Sequence, residues 1–452
     1  MARLTHMVAY RLRCNGLWAN SARTILLRNR AILLAGALML PFSTAELPAF
    51  AAEPQTPAWV QAVAGGGFEA RMVTGDRSCP SLVTDKGEVA MTPRASADAH
   101  FPLLCAAPLA KDLTKASIAG IALPLPVAQP QRILVVGDTG CRIQGVLLQD
   151  CNDPQRWPFP SVAAAAASLK PDLVIHVGDY LYRESPCPAG NEGCAGSPWG
   201  DNWTTWAADF FTPAAPLLAA APIVLVRGNH ESCDRSGPGF LRLMGPLAFD
   251  PAAPCAVHLP VYGIDLGGIT LAVMDDNTAD ELTLVWPDVP TYAADIAGLG
   301  QLPGPVWFVH HRPIWAPVSG PLGLPVGGNL PMITAVGRKL IPRNVELMLS
   351  GHLHTFQAIN YYNGVPPQLV AGNGGDALLV TPKNLKGAIF QGHSGVTVKD
   401  GLSVGGFGFL LLVRDGAGWT VDLFKADGTP EGTCRFTPRP ARLDCPDLNA
   451  GK

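Results

Sequence analysis

Seven short runs of mostly apolar residues set the plan of this chain: Ile133–Val136, Leu173–Val177, Ile223–Val226, Ile269–Met274, Val306–Val309, Val345–Leu349 and Gln368–Ala371. Each is too short for a buried helix, and several are rich in Val and Ile. They read as strands covered on both faces, as in an α/β sheet. Five of the runs end directly in a polar cluster. The clusters are Gly137-Asp138-Thr139-Gly140, Gly178-Asp179-Tyr180-Leu181-Tyr182, Gly228-Asn229-His230-Glu231, His310-His311-Arg312-Pro313 and Gly351-His352-Leu353-His354. In open α/β sheets, ligands bind beyond the carboxyl ends of the strands, so segments far apart in sequence are expected to meet at one site.

The connecting segments fit this plan. An Ala-rich run, Ser161 to Leu169, predicts a helix between the first two strands, punctuated by Pro171. Segments Ser185 to Gly200 and Pro317 to Pro331 read as long loops, and both follow polar clusters. Phe407–Val413 and Trp419–Phe424 read as a hairpin around Asp415-Gly416-Ala417-Gly418. Residues 53–125, with short alternating runs and many turn formers, read as a small β module ending at Leu123-Pro124-Leu125-Pro126. It carries no catalytic cluster, so packing or spacing is its default role.

The first fifty-odd residues have the features of an export signal: Arg23, Arg28 and Arg30, the apolar run Ala31 to Leu40, and a small-residue cleavage site at Ala49-Phe50-Ala51. That run is short for a membrane span, and no second long apolar segment follows. Residues 1–51 hold six Arg and one Glu, so their removal takes the formal net charge from −3 to −8. An acidic surface argues against nucleic acid or anionic membrane as the main partner. Of the 11 Cys, Cys14 falls in this segment, and the other ten form five close sequential couples. That pattern suits local disulfides in an oxidising compartment; a Cys-rich zinc site lacks a CxxC pair. The expected location is periplasmic or secreted. The expected layout is residues 1–51 signal peptide, 53–125 β module, 130–435 catalytic domain and 436–452 a tail tied by a disulfide.

Chemically the clusters offer carboxylates, an amide, imidazoles and a phenol. Two His at alternate positions of an extended segment, His352 and His354, present both rings on one face, a common ligand arrangement. Singly, a Gly-Asp pair after a strand is as easily a turn or a cap.

Taken together and in this order, the five clusters resemble the signature GD…GD…GNH…H…GHxH of the calcineurin-like metallophosphoesterase superfamily. Gly178-Asp179-x-x-Tyr182 is similar to the block of the purple acid phosphatases within it. The resemblance implies an α/β fold of the αββα type, a β-sandwich flanked by helices. It implies two metal ions, Fe(III) plus a divalent Fe, Zn or Mn. Asp138, Asp179, Tyr182 and His354 would hold the ferric ion, with Asp179 bridging to a second ion also held by Asn229, His311 and His352. The motif register favours His311 over His310, because the family's ligand lies two residues before a Pro, here Pro313. His230 would stabilise the phosphoryl group, alongside Asn229, and protonate the leaving oxygen. A dinuclear metal-bound hydroxide would then hydrolyse a small phosphate ester.

Other positions stay open at this level. Glu231 either orients His230 or faces solvent. Arg142, Arg227 and Arg312 either contact phosphate or pair with acids. Asp275 and Asp276 read as a cap or turn. The Gly-rich segment 372–375 either supports the strand end or touches phosphate, and His258 and His393 match no partner pattern. The plant enzymes' extra His after the H-x-P block is missing from Ile314 to Leu330, so substrate preference does not transfer. A phosphodiesterase or nucleotidase, or a binding protein with a merely structural metal, are the competing readings.

Overall fold

The computed structural model describes residues 56–449, apart from Leu282, 320–324, 338–340 and 391–394. The signal-like segment 1–51 and His393 lie outside the described residues. Two β-sheets stack face to face. The larger has eleven described strands, in the spatial order Ala441–Asp444, Pro430–Pro438, Gly418–Lys425, Gly408–Asp415, Arg132–Val136, Leu173–His176, Ile223–Leu225, Ala58–Ala62, Phe68–Thr74, Leu103–Pro108 and Thr92–Ala95. The smaller has seven: Tyr262–Asp265, Thr270–Val273, Val306–Val309, Val345–Ser350, Gln368–Ala371, Phe356–Tyr361 and Val398–Val404.

Side-chain alternation along the strands builds three layers of core. Ile133, Val135, Ile175 and Val224 meet Leu271, Trp307, Leu347 and Leu369 between the sheets. The residues between them, Leu134, Val136 and Val174, face outward and are covered by Phe159, Val162 and Leu217. Those come from the helices Phe159–Ser168 and Ala215–Ala220. On the far side Ala272, Phe308 and Met348 are covered by Tyr292, Ile296, Met332 and Ile333, from the helices Val289–Gly298 and Leu330–Val336. The result is the helix–sheet–sheet–helix stack expected from the motif order. Burial on both faces explains why the strands read as unbroken apolar runs.

The segment expected as a small β module is β throughout, but it joins the main body. Ala58–Ala62 pairs in parallel with Ile223–Leu225, and three further strands extend the large sheet from there. Four others make a small sheet of their own, with Cys79–Cys105 tying the two parts. Residues Glu53–Lys452 form one compact unit. Arg71 shows how tightly they join: it is buried, and its guanidinium donates to the carbonyls of Leu243 and Gly245 at 3.0 Å each.

Two expectations are corrected in detail. Segment Pro317–Pro331 is not all loop: Pro317–Ser319 and Pro325–Gly327 pair as strands, and a helix starts at Leu330. The C-terminal hairpin continues into Pro430–Pro438 and the edge strand Ala441–Asp444, which polar residues disguise because both are only half-buried. Segment Ser185 to Gly200 has no regular element, as expected.

Candidate metal centre

The motif loops leave the carboxyl ends of parallel strands in both sheets. Arg132–Val136, Leu173–His176 and Ile223–Leu225 run parallel in the large sheet, and Val306–Val309 and Val345–Ser350 run parallel in the small one. The loops are stitched to one another by backbone hydrogen bonds. Asp138 N donates to Gly178 O (2.9 Å), Thr139 N to Asp179 O (3.0 Å) and Gly351 N to His311 O (2.9 Å). Asp138, Asp179 and His352 all lie in the left-handed backbone region, with φ of 56°, 61° and 66°. That conformation costs energy for a side-chain-bearing residue, and it persists where the surroundings over-determine it, typically at functional sites.

The glycine ahead of each of these residues is a packing requirement. A Cβ on Gly178, whose φ is 103°, would overlap the His311 ring, one on Gly351 would overlap the Asp138 carboxylate, and one on Gly228, ahead of Asn229, would overlap that of Asp179.

The loops bring seven motif residues together. Ligand atoms of Asp179, His311 and His352 lie within 4.8 Å of one another, as do those of Asp138, Asp179 and His354. The two trios share Asp179. Tyr182 Oη sits among the second trio, 2.8 Å from Asp179 Oδ2, 3.2 Å from Asp138 Oδ1 and 3.1 Å from His354 Nε2. Asn229 Oδ1 is 3.0 Å from His311 Nε2, on the side of the first trio. His311 Nδ1 lies 2.8 Å from the Val177 carbonyl and His354 Nδ1 lies 2.7 Å from that of Ala377. A carbonyl can only accept, so each Nδ1 carries its proton and each Nε2 is turned to the carboxylates.

His310 is elsewhere. Its ring is buried against Phe308, with Nδ1 at 3.0 Å from Asp276 Oδ2. Strand alternation explains the split, because neighbouring residues point to opposite faces.

The donor set fits a pair of cations. Without one, buried carboxylates must be balanced by protons on the rings. Burial opposes the charge on His311, but Asp179 and its hydrogen bond raise the pKa to about 10. Burial likewise opposes His354, and Asp376 and Asp138 raise it to about 9. Burial is also outweighed at Asp179, whose carboxyl is held well below its usual range by His311 and His230. Burial and then Asp179 and Asp138 push the Tyr182 phenol well above its ordinary value, so it keeps its proton unless a strongly charged cation takes the proton's place. Asp138 and Asp179 would hold one ion with Tyr182 and His354; Asp179, Asn229, His311 and His352 would hold the other.

His230 stands beside this cluster. Its ring packs on Tyr182 at 3.7 Å between centroids. Nδ1 is 2.5 Å from Glu184 Oε1 and Nε2 is 4.0 Å from Asp179 Oδ2. Burial, against the pull of Asp179 and Glu184, lowers its pKa to about 4.

Around the centre stand groups the motifs did not reveal. Three of its histidines each touch a carboxylate, and an arginine holds each carboxylate in turn. Glu184 lies on His230 and pairs with Arg235. Asp376 lies 3.4 Å from His354 Nδ1 and pairs with Arg142. Glu281 lies 3.1 Å from His352 Nε2 and pairs with Arg312 at 2.6 Å. Such carboxylates fix the ring orientation, and the arginines fix the carboxylates. Glu184 lies two residues past Tyr182, but nothing local shows that it meets His230. Glu281 and Asp376 lie outside every motif, and nothing in the sequence marks them.

Several open positions now have definite places. Glu231 neither orients His230 nor faces solvent. It is buried, and its carboxylate accepts from the backbone of Tyr180 (2.9 Å), Leu181 (3.1 Å), Asp179 and Gly228 (3.2 Å each), clamping the loop that carries Asp179. Asp276 accepts from the backbone N–H groups of His311 and Arg312 and so aims the His311 turn. Arg142, Arg227 and Arg312 all pair with acids. His258 faces Asp295 at 2.8 Å. Gly374 donates to the Gly137 carbonyl at 3.0 Å, a backbone support for the first motif.

A stacked α/β sandwich with two ligand trios sharing one carboxylate defines a metal-dependent hydrolase scaffold. Residues 131–356, half the chain, match the family model described as calcineurin-like phosphoesterase, and the protein belongs to that family. The fold is shared with a purple acid phosphatase from yellow lupin (Lupinus luteus) seeds, at 15% identity and a TM-score of 0.52, over 84% of this chain and 74% of that one. It is also shared with the structure of PhoD, at 11% identity and a TM-score of 0.51, over 86% of this chain and 91% of that one. A comparison with curated proteins finds no match.

Proposed function

We propose that the protein is an exported phosphomonoesterase of the purple acid phosphatase type. The observation that carries this reading is the sharing of Asp179 between two ligand trios, one of them completed by the Tyr182 phenol. Fe(III) suits the Tyr182 side, because phenolate is a hard donor, and a divalent ion suits the His311–His352 side. Bound there, the two ions would supply charge for the phosphoryl oxygens and an activated water.

The rest of the work falls to this chain's own groups. Asn229 contributes a neutral oxygen, which limits the negative charge facing an anionic substrate. Glu184 Oε1 at 2.5 Å and Arg235 Nη2 at 2.7 Å both meet His230 Nδ1 and hold its ring beside Tyr182. A phosphoryl dianion arriving near Nε2 adds negative charge there, favouring a second ring proton. That proton is then available to the leaving oxygen. Turnover is expected to favour acidic to neutral pH for poor leaving groups. The five disulfides, Cys79–Cys105, Cys141–Cys151, Cys187–Cys194, Cys233–Cys255 and Cys434–Cys445, support an oxidising destination. Among the described residues no helix is long and apolar enough to cross a membrane.

The test is metal analysis with a visible spectrum, alongside assays on p-nitrophenyl phosphate and its bis ester. Two ions per chain, a broad absorption band lost in Tyr182→Phe, and faster cleavage of the monoester are the expected results. Preference for the bis ester would make it a phosphodiesterase. Two bound ions with neither ester cleaved would leave the metals a structural role.

A further inference from the structure

Two segments anchored at the metal centre carry exposed apolar side chains, and together they make what we term its apolar lip. Fifteen large apolar side chains are exposed among the described residues, and six of them lie on just two short segments: Val146, Leu147, Leu148, Leu378, Leu379 and Val380. Val146 is 93% exposed and Val380 81%. Scattered exposed apolar residues need no explanation, but a cluster beside a site marks a binding surface.

Both segments are rooted in the centre. The first is the hairpin of Ile143–Gln144 with Leu147–Leu148. At its base Arg142 lies over the Tyr182 ring, 4.7 Å from its centroid, and pairs with Asp376 at the base of the second segment. Gln149 closes the hairpin, accepting from Arg142 N (3.1 Å) and donating to Gly375 O (2.8 Å). The second segment wraps His354. Ala377 O accepts from its Nδ1 and Leu379 N donates to its carbonyl at 2.9 Å. Val146 and Val380 are each four residues from these anchors, so their Cα atoms lie within about 14 Å of those of Arg142 and Asp376. The charges in this wall are already paired with each other, so the lip offers apolar contact rather than a second anion site.

We propose that this lip receives the alcohol part of the substrate, and that the preferred phosphate esters carry an apolar alkyl or aryl alcohol rather than a sugar or polyol. The inference rests on the phosphoesterase reading of the same centre. A phosphoryl group held by that centre would tether the alcohol where the lip is, and burying even two methylene groups there is worth roughly tenfold or more in affinity.

The experiment compares octyl and ethyl phosphate on the metal-loaded full chain, for the natural sequence and for two doubly substituted proteins, Val146→Ser with Leu147→Ser and Leu378→Ser with Val380→Ser. Expected is a kcat/KM at least about tenfold higher for the octyl ester, with that ratio falling several-fold in each variant. Equal values for the two esters in the natural protein, or an unchanged ratio in both variants, overturn the proposal. Binding of the unreactive octyl- and ethylphosphonates, measured by calorimetry, reads the lip without turnover. An octyl preference there, in a protein that cleaves no ester, would sink the phosphomonoesterase reading and leave the lip standing. Two further results would reassign the lip and overturn the proposal, each in the absence of an octyl preference. One is variant-sensitive sedimentation with phosphatidylcholine vesicles, which would mean a lipid surface. The other is a variant-sensitive change from dimer to monomer, which would mean a second copy.

Discussion

At the scale of single residues, the geometry sets the groups that would hold metal apart from His230, the proposed acid. His230 touches no carboxylate closely with Nε2, which is 4.0 Å from Asp179, whereas His311 Nε2 is 3.2 Å away. His230→Ala is therefore expected to keep both ions and lose about 10²- to 10⁴-fold in turnover. Metal analysis and steady-state kinetics check this together, and full activity would refute the acid assignment. Sequence order alone pointed to His230, but it could not show Glu184 behind the ring, because that contact joins the ends of two different strands. Glu231 teaches the same lesson in reverse. Its place beside His230 in the chain suggested a partnership, while the folded loop turns its carboxylate to the backbone of Asp179, Tyr180 and Leu181.

At the scale of elements, four of the five motifs are a strand end, a close-packed glycine and a candidate ligand; His310-His311-Arg312-Pro313 has no glycine. The glycine is as necessary as the ligand, since its missing Cβ lets two loops touch. Gly178→Ala is expected to retain the far-ultraviolet dichroism of the fold while losing bound metal and activity, because the added Cβ would push into the His311 ring and Gly178 itself sits at φ 103°. Normal metal content in that variant would show the loops to be more yielding than their contacts suggest. The disulfides act on the same loops. Cys141–Cys151 and Cys187–Cys194 close spans with separations of 10 and 7 residues just past the first and second motifs. Opening either by Cys→Ser pairs should cost about 2.5 kcal/mol of stability in a denaturant titration. The strands were legible because apolar runs bounded by Gly and Pro have few alternatives. The last two strands, Pro430–Pro438 and the edge strand Ala441–Asp444, were not, because half-exposed strands carry polar residues that also suit loops.

At the scale of the whole molecule, the metal-free centre makes stability depend on pH from both sides. His311 and His354 have pKa values raised to about 10 and about 9, so they bind protons more tightly when folded. Their contribution is full below about 6.5 and fades as pH rises through those values. Glu231, raised to about 8 by burial and then Asp179, adds to the same loss on the alkaline side. His230 and His176, lowered to about 4 and about 3 chiefly by burial, act oppositely; their contribution is present above about 6.5 and lost as pH falls through those values. The melting temperature of the chelated protein is thus expected to fall from pH 6.5 towards 10. With metal restored the alkaline fall should flatten, because a cation on Nε2 replaces the proton. Calorimetry with and without chelator distinguishes these outcomes, and identical profiles would mean that no cation occupies the centre.

The amino-acid sequence alone determined the buried strands, the order of the polar clusters and the residue types that face a metal, because these depend on local periodicity and on chemistry that few side chains share. It also suggested local disulfides between sequential cysteine couples, while their connectivity stayed open until the fold paired them. The resemblance implied that Asp179 is shared and that His311 rather than His310 faces the centre; only the tertiary structure decided that His310 packs on Phe308 and meets Asp276, and that Glu184, Glu281 and Asp376 with their arginines brace three of the rings. The same holds for the fusion of the N-terminal strands with the main sheet. The reason is distance along the chain: partners many tens of residues apart meet only when two sheets stack, and no local pattern records which loop will stand beside which.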